Sequence, residues 1–579
     1  MTRSRQVIIC SEKGLSWIIG GLAGGFLILA VFLFFLQIVD HEKWLAEARA
    51  TQIKSLEIEA ERGKIYAFNN GQKVPLVINE RRWTMFADGK FIDYPVALAE
   101  ALEDLGIPLT AQQKLDLASR DKRYIVLAKR VTDGRKNEII RRLHYEGIHW
   151  QENDIRQYLE GDLASHVLGF LNYDSNSQYG IEQYYDKQLT GQPGWYRRTT
   201  DVHDVPLLFT SDNIEVQPQD GQDVVLTLDV SLQRIVETQL LAGIEETDAL
   251  GGTAIVLDAN DGAVLAMASQ PEFSPANFTQ AQIGDYVNPA VENILEPASV
   301  MKVLVMASAL NEGVVEIDES FYDPNVQVID GRVIPNFVSR GAAVRPVTEI
   351  LIKSLNTGTI EMLKRLDKHG SNDTIDVDDR QVLYDYYTKV FRLDKKTGID
   401  LPNEIVGQIN SPDIPYLPNH LYATMTFGQS VAVSPIQLAA VYGAIFNGGN
   451  YYQPYIAAQV GDQIREPKLL ASNILADQTI ADLRFLMETM GKRLLPTVQY
   501  EGLEVSAKTG TAQIIDFENG GYLDDVARGL MLGYVKSSTK TLIILVIVDQ
   551  PQVVYAGSQG AQPIWENIVQ QLVSLGRTH

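Results

Sequence analysis

At 579 residues the chain is too long for one ordinary hydrophobic core, so two or three domains are expected. With 45% hydrophobic residues, no low-complexity tract and no repeat at solenoid or propeller periods, it is a folding chain and not a disordered or repetitive one. A net charge of −23 argues against broad nucleic-acid binding, and one cysteine with eight scattered histidines offers no zinc cluster.

Residues 15–39 are apolar or small apart from Ser16 and Gln37, long enough to cross a bilayer with some tilt. Arg3, Arg5 and Lys13 precede the run, and Asp40 and Glu42 follow it with Lys43. The positive-inside rule then puts the short tail in the cytoplasm and the rest outside. A cleaved signal peptide is the alternative, but the run is long for one and no small-x-small site precedes Asp40-His41-Glu42. The single cysteine, Cys10, falls in the tail, which leaves the external part to be held by its core without disulfides.

Residues 40–61 are charged with a helical pattern, and Arg62-Gly63-Lys64-Ile65-Tyr66 turns into short strand-like pieces. Residues 90–145 alternate helical runs with turns. His166 lies in an apolar stretch and reads as a hydrogen-bonded structural histidine. Residues 196–222 are polar and turn-rich, which places a domain boundary near Gly221. Beyond it, 223–228 reads as a strand and 231–244 as a helix, and Asn260-Asp261-Gly262 joins 253–257 to 264–268 as a hairpin. Three late strands are expected at 505–508, 530–535 and 542–548, with a terminal helix over 563–575. Strands at both ends and helices between imply an α+β domain whose late strands pair antiparallel.

Between those ends lies Glu296-Pro297-Ala298-Ser299-Val300-Met301-Lys302, running into a helix apolar on nearly every face. Pro297 suits a helix start and Gly313 a stop. Ser299 and Lys302, three apart, project from one face. A lysine desolvated by apolar neighbours holds its proton weakly, and a neutral amine beside a hydroxyl is a ready general base. Downstream, Ser354-Leu355-Asn356 offers a hydroxyl and an amide. Lys508-Thr509-Gly510-Thr511, on a strand, offers a fixed positive charge for a carboxylate, threonine donors and a glycine that a ligand can approach. The N–H groups of Ser299 and Thr511 would form an oxyanion hole. Each motif has decoys: Ser119…Lys122, Ser537…Lys540, Ser211-Asp212-Asn213 and Lys396-Thr397-Gly398 all read as loops or turns.

Taken in chain order, the three motifs resemble those of penicillin-binding proteins and serine β-lactamases. Arg62-Gly63, Arg156-x-Tyr158, His166-Val167-Leu168-Gly169, Gly180-Ile181-Glu182 and Tyr185-Asp186 are similar to the pedestal of a class B penicillin-binding protein. Thr227-Leu228-Asp229, Phe427-Gly428-Gln429, Ser434-Pro435-Ile436-Gln437 and Asn447-Gly448-Gly449 resemble its catalytic half. The resemblance implies a tail over 1–14, a transmembrane helix over 15–39, a pedestal over 40–220 and, over 221–579, a transpeptidase domain with an antiparallel sheet flanked by helices. It implies a peptidoglycan D,D-transpeptidase, with compact length favouring the division type over the elongation type.

Under that resemblance Ser299 attacks the carbonyl between the last two D-alanines of a donor stem peptide, and a neighbouring stem's amine resolves the acyl-enzyme. Lys302 is the base, Ser354 the proton relay, Asn356 a ligand for Lys302 and substrate, and Lys508, Thr509 and Thr511 hold the terminal carboxylate, with Gly510 between them. β-Lactams are further ligands, and a polytopic SEDS-type glycosyltransferase with other division or elongation proteins are the implied partners; no cofactor, metal or nucleic acid is. Ala298, Val300 and Leu355 stand where the family usually has Gly, Thr and Ser, and Ala67 where many relatives carry Asp. A membrane β-lactamase or β-lactam sensor, and a division-complex scaffold, are the rival readings; no deacylating base of a lactamase is assignable.

Overall fold

Thr541–Asp549 is apolar at almost every position, and a strand of that kind needs cover on both faces. The computed structural model, which describes residues 12–44, 53–199, 214–370, 372–515, 521–554, 556–576 and 578, supplies it. Alternate side chains go to opposite cores: Ile543, Leu545 and Ile547 to one, Leu542, Ile544, Val546 and Val548 to the other. The strand is central in a five-stranded sheet. We label its members β1 (Gly251–Asp258), β2 (Val264–Gln270), β3 (Glu504–Ile515), β4 (Tyr522–Lys536) and β5 (Thr541–Asp549). Their order is β2-β1-β5-β4-β3, antiparallel throughout, with β3 at an edge.

Helices cover both faces. We label α1 (Val230–Thr247), α2 (Met301–Glu312), α3 (Asn356–Leu363), α4 (Pro435–Phe446) and α5 (Gly557–Ser574). Helices α1 and α5 share a core with Leu542, Ile544 and Val546, and Trp565 donates from Nε1 to the Ile544 carbonyl at 3.0 Å. Helices α2 and α4 lie in the other core, and Met301 to Leu310 are all buried. A helix apolar all round belongs in such a place. It stops at Gly313, whose φ of 65° suits glycine, while Gly313 and Val314 cap the last carbonyls. The sheet flanked by helices agrees with the α+β expectation, and the Asn260-Asp261-Gly262 segment does join paired strands.

The described chain divides into two compact units. The first runs up to Glu61 and resumes over Gly191–Gly221. It holds the apolar helix Glu12–Phe34, continued by a π-helical turn at Phe35–Val39, and a sheet of Ile53–Ile58, Gly194–Thr199 and Ile214–Val216. The strand at Ile53–Ile58 corrects the helical reading of 40–61 for that stretch, and the strands after Gly194 correct the turn-rich reading of 196–222. Partners distant in sequence decide both, since Ile53 to Ile58 pair antiparallel with Thr199 to Gly194.

The second unit takes Arg62–Thr190 and Gln222–His579. Val224–Asp229 pairs parallel with Ile65–Asn69, so the strand that opens the catalytic half extends the sheet of the preceding half. Within 90–145 the helices come with a strand, Ile125–Val131, that pairs with the long Gln72–Ala87. Three of the resemblance motifs of this half, at Arg62, Arg156 and Glu182, meet at one buried carboxylate. Glu182, fully buried, is bonded by Arg62 and by Arg156 at 2.8 Å each. His166 is buried with Nε2 2.9 Å from the Asp285 carbonyl, and desolvation lowers its pKa to about 4, as befits a structural histidine.

Candidate active site

Ser299 sits in a 3-10 turn, Ala298–Val300, and the α-helix proper begins at Met301. The sequence places it in the first α-turn; the tighter turn arises because Gly428 grips the chain there. The Gly428 carbonyl accepts from Ala298 N–H at 3.0 Å, and a Cβ on Gly428 would meet Ala298 O at 2.1 Å. Ala298 itself has φ of 52°, a left-handed conformation costly for alanine. Three residues apart, Ser299 and Lys302 share one face of this start.

Lys302 is fully buried. Its Nζ donates to the Ser354 carbonyl at 2.6 Å, Ser354 Oγ at 3.1 Å and Asn356 Oδ1 at 2.7 Å, and the Phe427 ring lies 5.9 Å away. Burial, and then the charge of Lys508, hold its pKa well below the ordinary lysine value. Three acceptors match the three donors of an ammonium. On deprotonation the amine keeps two donors, and the Ser354 hydroxyl can turn to donate to the lone pair. The pair is therefore a ready proton conduit. The turn is preset: Ser354 has φ of 53°, Leu355 is buried, and Asn356 opens α3 with Nδ2 bonded to Pro335 O at 2.9 Å.

Lys508 lies on the edge strand β3, buried, donating to Thr509 O at 2.9 Å. Desolvation brings its pKa to about 7. Its charge at neutral pH is thus partial, where the sequence suggests a fixed one. Gly510 answers a different need from ligand approach: a Cβ there would come within 3.2 Å of Ala298 Cβ and 3.3 Å of Pro297 O. Glycine lets the edge strand close onto the turn that carries Ser299. Thr511 Oγ1 accepts from Gly557 N–H, at the start of α5, at 2.9 Å and keeps its own proton to donate.

So Lys302, Ser354 and Asn356 touch, while β3 bearing Lys508 to Thr511 packs beside the Ser299 turn. The decoys lie elsewhere. Ser537 bonds its own turn, Lys122 pairs with Asp116, and Thr397 is held by Glu404 at 2.6 Å; Ser211-Asp212-Asn213 lies outside the described residues, as does Cys10. The sequence reading gives no role to Glu296, which is buried and accepts from Ser430 N–H at 2.7 Å and Tyr522 OH at 3.2 Å; burial raises its pKa. Its place three residues before Ser299 is the one available signal.

All the candidate site residues named above, Ser299 to Thr511, fall within residues 252–570, which match the penicillin binding protein transpeptidase domain; residues 57–226 match the penicillin-binding protein dimerisation domain. The chain belongs to the class B penicillin-binding proteins, and it is a peptidoglycan D,D-transpeptidase of cell-wall synthesis.

It is similar to the stage V sporulation protein D of Bacillus subtilis, 30% identical over 94% of this chain and 83% of that protein. It is also similar to the peptidoglycan D,D-transpeptidase FtsI of Escherichia coli, 27% identical over 96% of this chain and 91% of that protein. Penicillin binding protein 2X of Streptococcus thermophilus shares the fold, with a TM-score of 0.71 at 21% identity over 91% of this chain and 81% of that one.

Proposed function

We propose that transpeptidation runs through an ester on Ser299. The observation that carries this reading is the fully buried Lys302 Nζ, bonded to Ser354 and Asn356 one turn from the Ser299 hydroxyl. Neutral Lys302 takes the Ser299 proton as Oγ adds to the penultimate D-alanine carbonyl. The C–N bond to the last D-alanine then breaks, and the proton passes by way of Ser354 to the departing amine. An acceptor stem amine next attacks the ester and loses a proton to Lys302; the C–Oγ bond then breaks, and Lys302 passes that proton to the Ser299 oxygen. Lys508, Thr509 and Thr511 hold the terminal carboxylate, which a cationic Lys508 favours. Asn356 orients Lys302 and the peptide, and Gly510 keeps the strand close. The N–H groups of Ser299 and Thr511 take the oxyanion. β-Lactams would acylate the same hydroxyl.

The apolar helix is a candidate membrane anchor, long enough to cross once. With Arg3, Arg5 and Lys13 before it, the N-terminus would be cytoplasmic and the catalytic domain extracytoplasmic. Residues 40–220 would form the pedestal, meeting a SEDS-type glycosyltransferase and other division proteins. Division is favoured over elongation by the compact length, and a fluorescent fusion found along the sidewall instead of the septum would reverse that choice.

The catalytic reading is tested by labelling with a fluorescent penicillin. A long-lived label that vanishes in both Ser299→Ala and Lys302→Ala is expected. Rapid turnover of the label would point to a β-lactamase, and normal growth on Ser299→Ala alone would make scaffolding the essential role.

A further inference from the structure

Between α2 and α3 the chain makes an excursion of four short strands, Ser320–Asp323, Val326–Ile329, Arg332–Pro335 and Ala343–Pro346. At its base is a buried carboxylate that the mechanism above does not use. Asp323 is fully buried and pairs with Arg345 Nε at 2.8 Å. Arg345 also donates to Gly341 O at 2.8 Å and lies 3.7 Å from Glu349, which itself pairs with Lys353. Asp323 accepts from Asn325 N–H at 2.8 Å, from Thr357 Oγ1 at 2.6 Å and from Asn336 Nδ2 at 3.3 Å. Thr357 and Asn336 are bonded to each other as well, Asn336 Oδ1 accepting from the Thr357 N–H at 3.1 Å.

These two residues adjoin the site. Thr357 follows Asn356, and Asn336 follows Pro335, whose carbonyl takes the Asn356 amide. With one amide N–H bonded to the Pro335 carbonyl, Asn356 turns its oxygen to Lys302. We infer that Asp323 is a positioning residue for the reaction, clamping Thr357 and Asn336 so that Ser354 and Asn356 present their acceptors to Lys302. The inference rests on the serine–lysine reading above. A charged group buried with its partner and all its hydrogen bonds met fixes a geometry rigidly, and a misplacement near 1 Å at a catalytic contact costs about a hundredfold in rate.

The test compares acylation rate constants for a penicillin reporter, against pH, in the full chain and in Asp323→Asn, Thr357→Val and Thr357→Ser. Asp323→Asn and Thr357→Val are expected to lose about a hundredfold in rate. Their acid limb should also move to lower pH, since a loosened turn withdraws acceptors that favour the Lys302 ammonium; Lys508 is the charged group that acts on Lys302 and is unchanged. Thr357→Ser, which keeps the hydroxyl, should restore rate and limb. If Asp323→Asn does not fold, the Thr357 pair decides. Rates within twofold of wild type, or a loss with an unmoved limb, overturn the inference. Failure of wild type itself to acylate, or acylation surviving Ser299→Ala, would instead overturn the reading beneath it.

Discussion

In the proposed mechanism two buried lysines have unlike duties. Both bind a proton more weakly folded than unfolded, so the unfolded chain carries more protons and stability rises with pH toward the ordinary lysine range. The proposed mechanism sets the two opposite demands: Lys302 neutral and Lys508 charged. Acylation should rise as pH climbs through the Lys302 value and fall above about 7, where free Lys508 loses its proton. Lys508→Arg, which cannot deprotonate in this range, should remove the alkaline limb in a pH–rate profile; a limb left in place would assign it to another group. Lys302→Ala should lower acylation about a hundred- to ten-thousandfold with the fold intact. Ala298→Gly should run against the usual cost of glycine, because it relieves a left-handed alanine. Unchanged or slightly raised stability is expected, by about 1 kcal/mol at most, and a clear fall in Tm would contradict the strain.

At the scale of elements, the site depends on how closely β3, α5 and the Ser299 turn approach. A Cβ on Gly557 would sit 2.0 Å from the Gly510 carbonyl, so something in the backbone must shift. Gly557→Ala should destabilise by about 1–3 kcal/mol and slow acylation by pushing the edge strand, measured by calorimetry and reporter kinetics. Unaltered stability and rate would show the strand to be more compliant than this packing implies. The motif residues were legible because each carries its own signal: a helix start, a strand edge, a lysine among apolar neighbours. The sheet was legible where its strands are apolar runs, as in β5 and in residues 530–535 of β4, but not in the polar first half of β4. What stayed hidden was set at long range. Nothing local in Ile53–Ile58 announces its pairing with Gly194–Thr199, and Pro563, read as a helix start, lies inside a helix that begins at Gly557. Thr511 bonds that first N–H, a contact no nearby residue foretells. Asp323 was invisible for the same reason, its partners being spread from Asn325 to Thr357.

For the whole molecule, the sequence divides labour between an apolar helix and an acidic remainder that carries the net charge of −23. Removal of residues up to 40 should release the chain from membranes while leaving penicillin labelling unchanged; retention on membranes would locate another attachment. The preceding half contributes through buried ion pairs and not disulfides. Glu182→Ala, which takes the carboxylate from buried Arg156 and leaves Arg62 only Asp186, should cost about 3–5 kcal/mol in denaturant titration. Everything else hangs on a single covalent bond. Peptide mapping by mass spectrometry after brief exposure to a penicillin tests it most directly: the adduct should sit on Ser299 and be absent from Ser299→Ala, whereas an adduct on another residue, or none on the folded wild-type chain, would contradict the account.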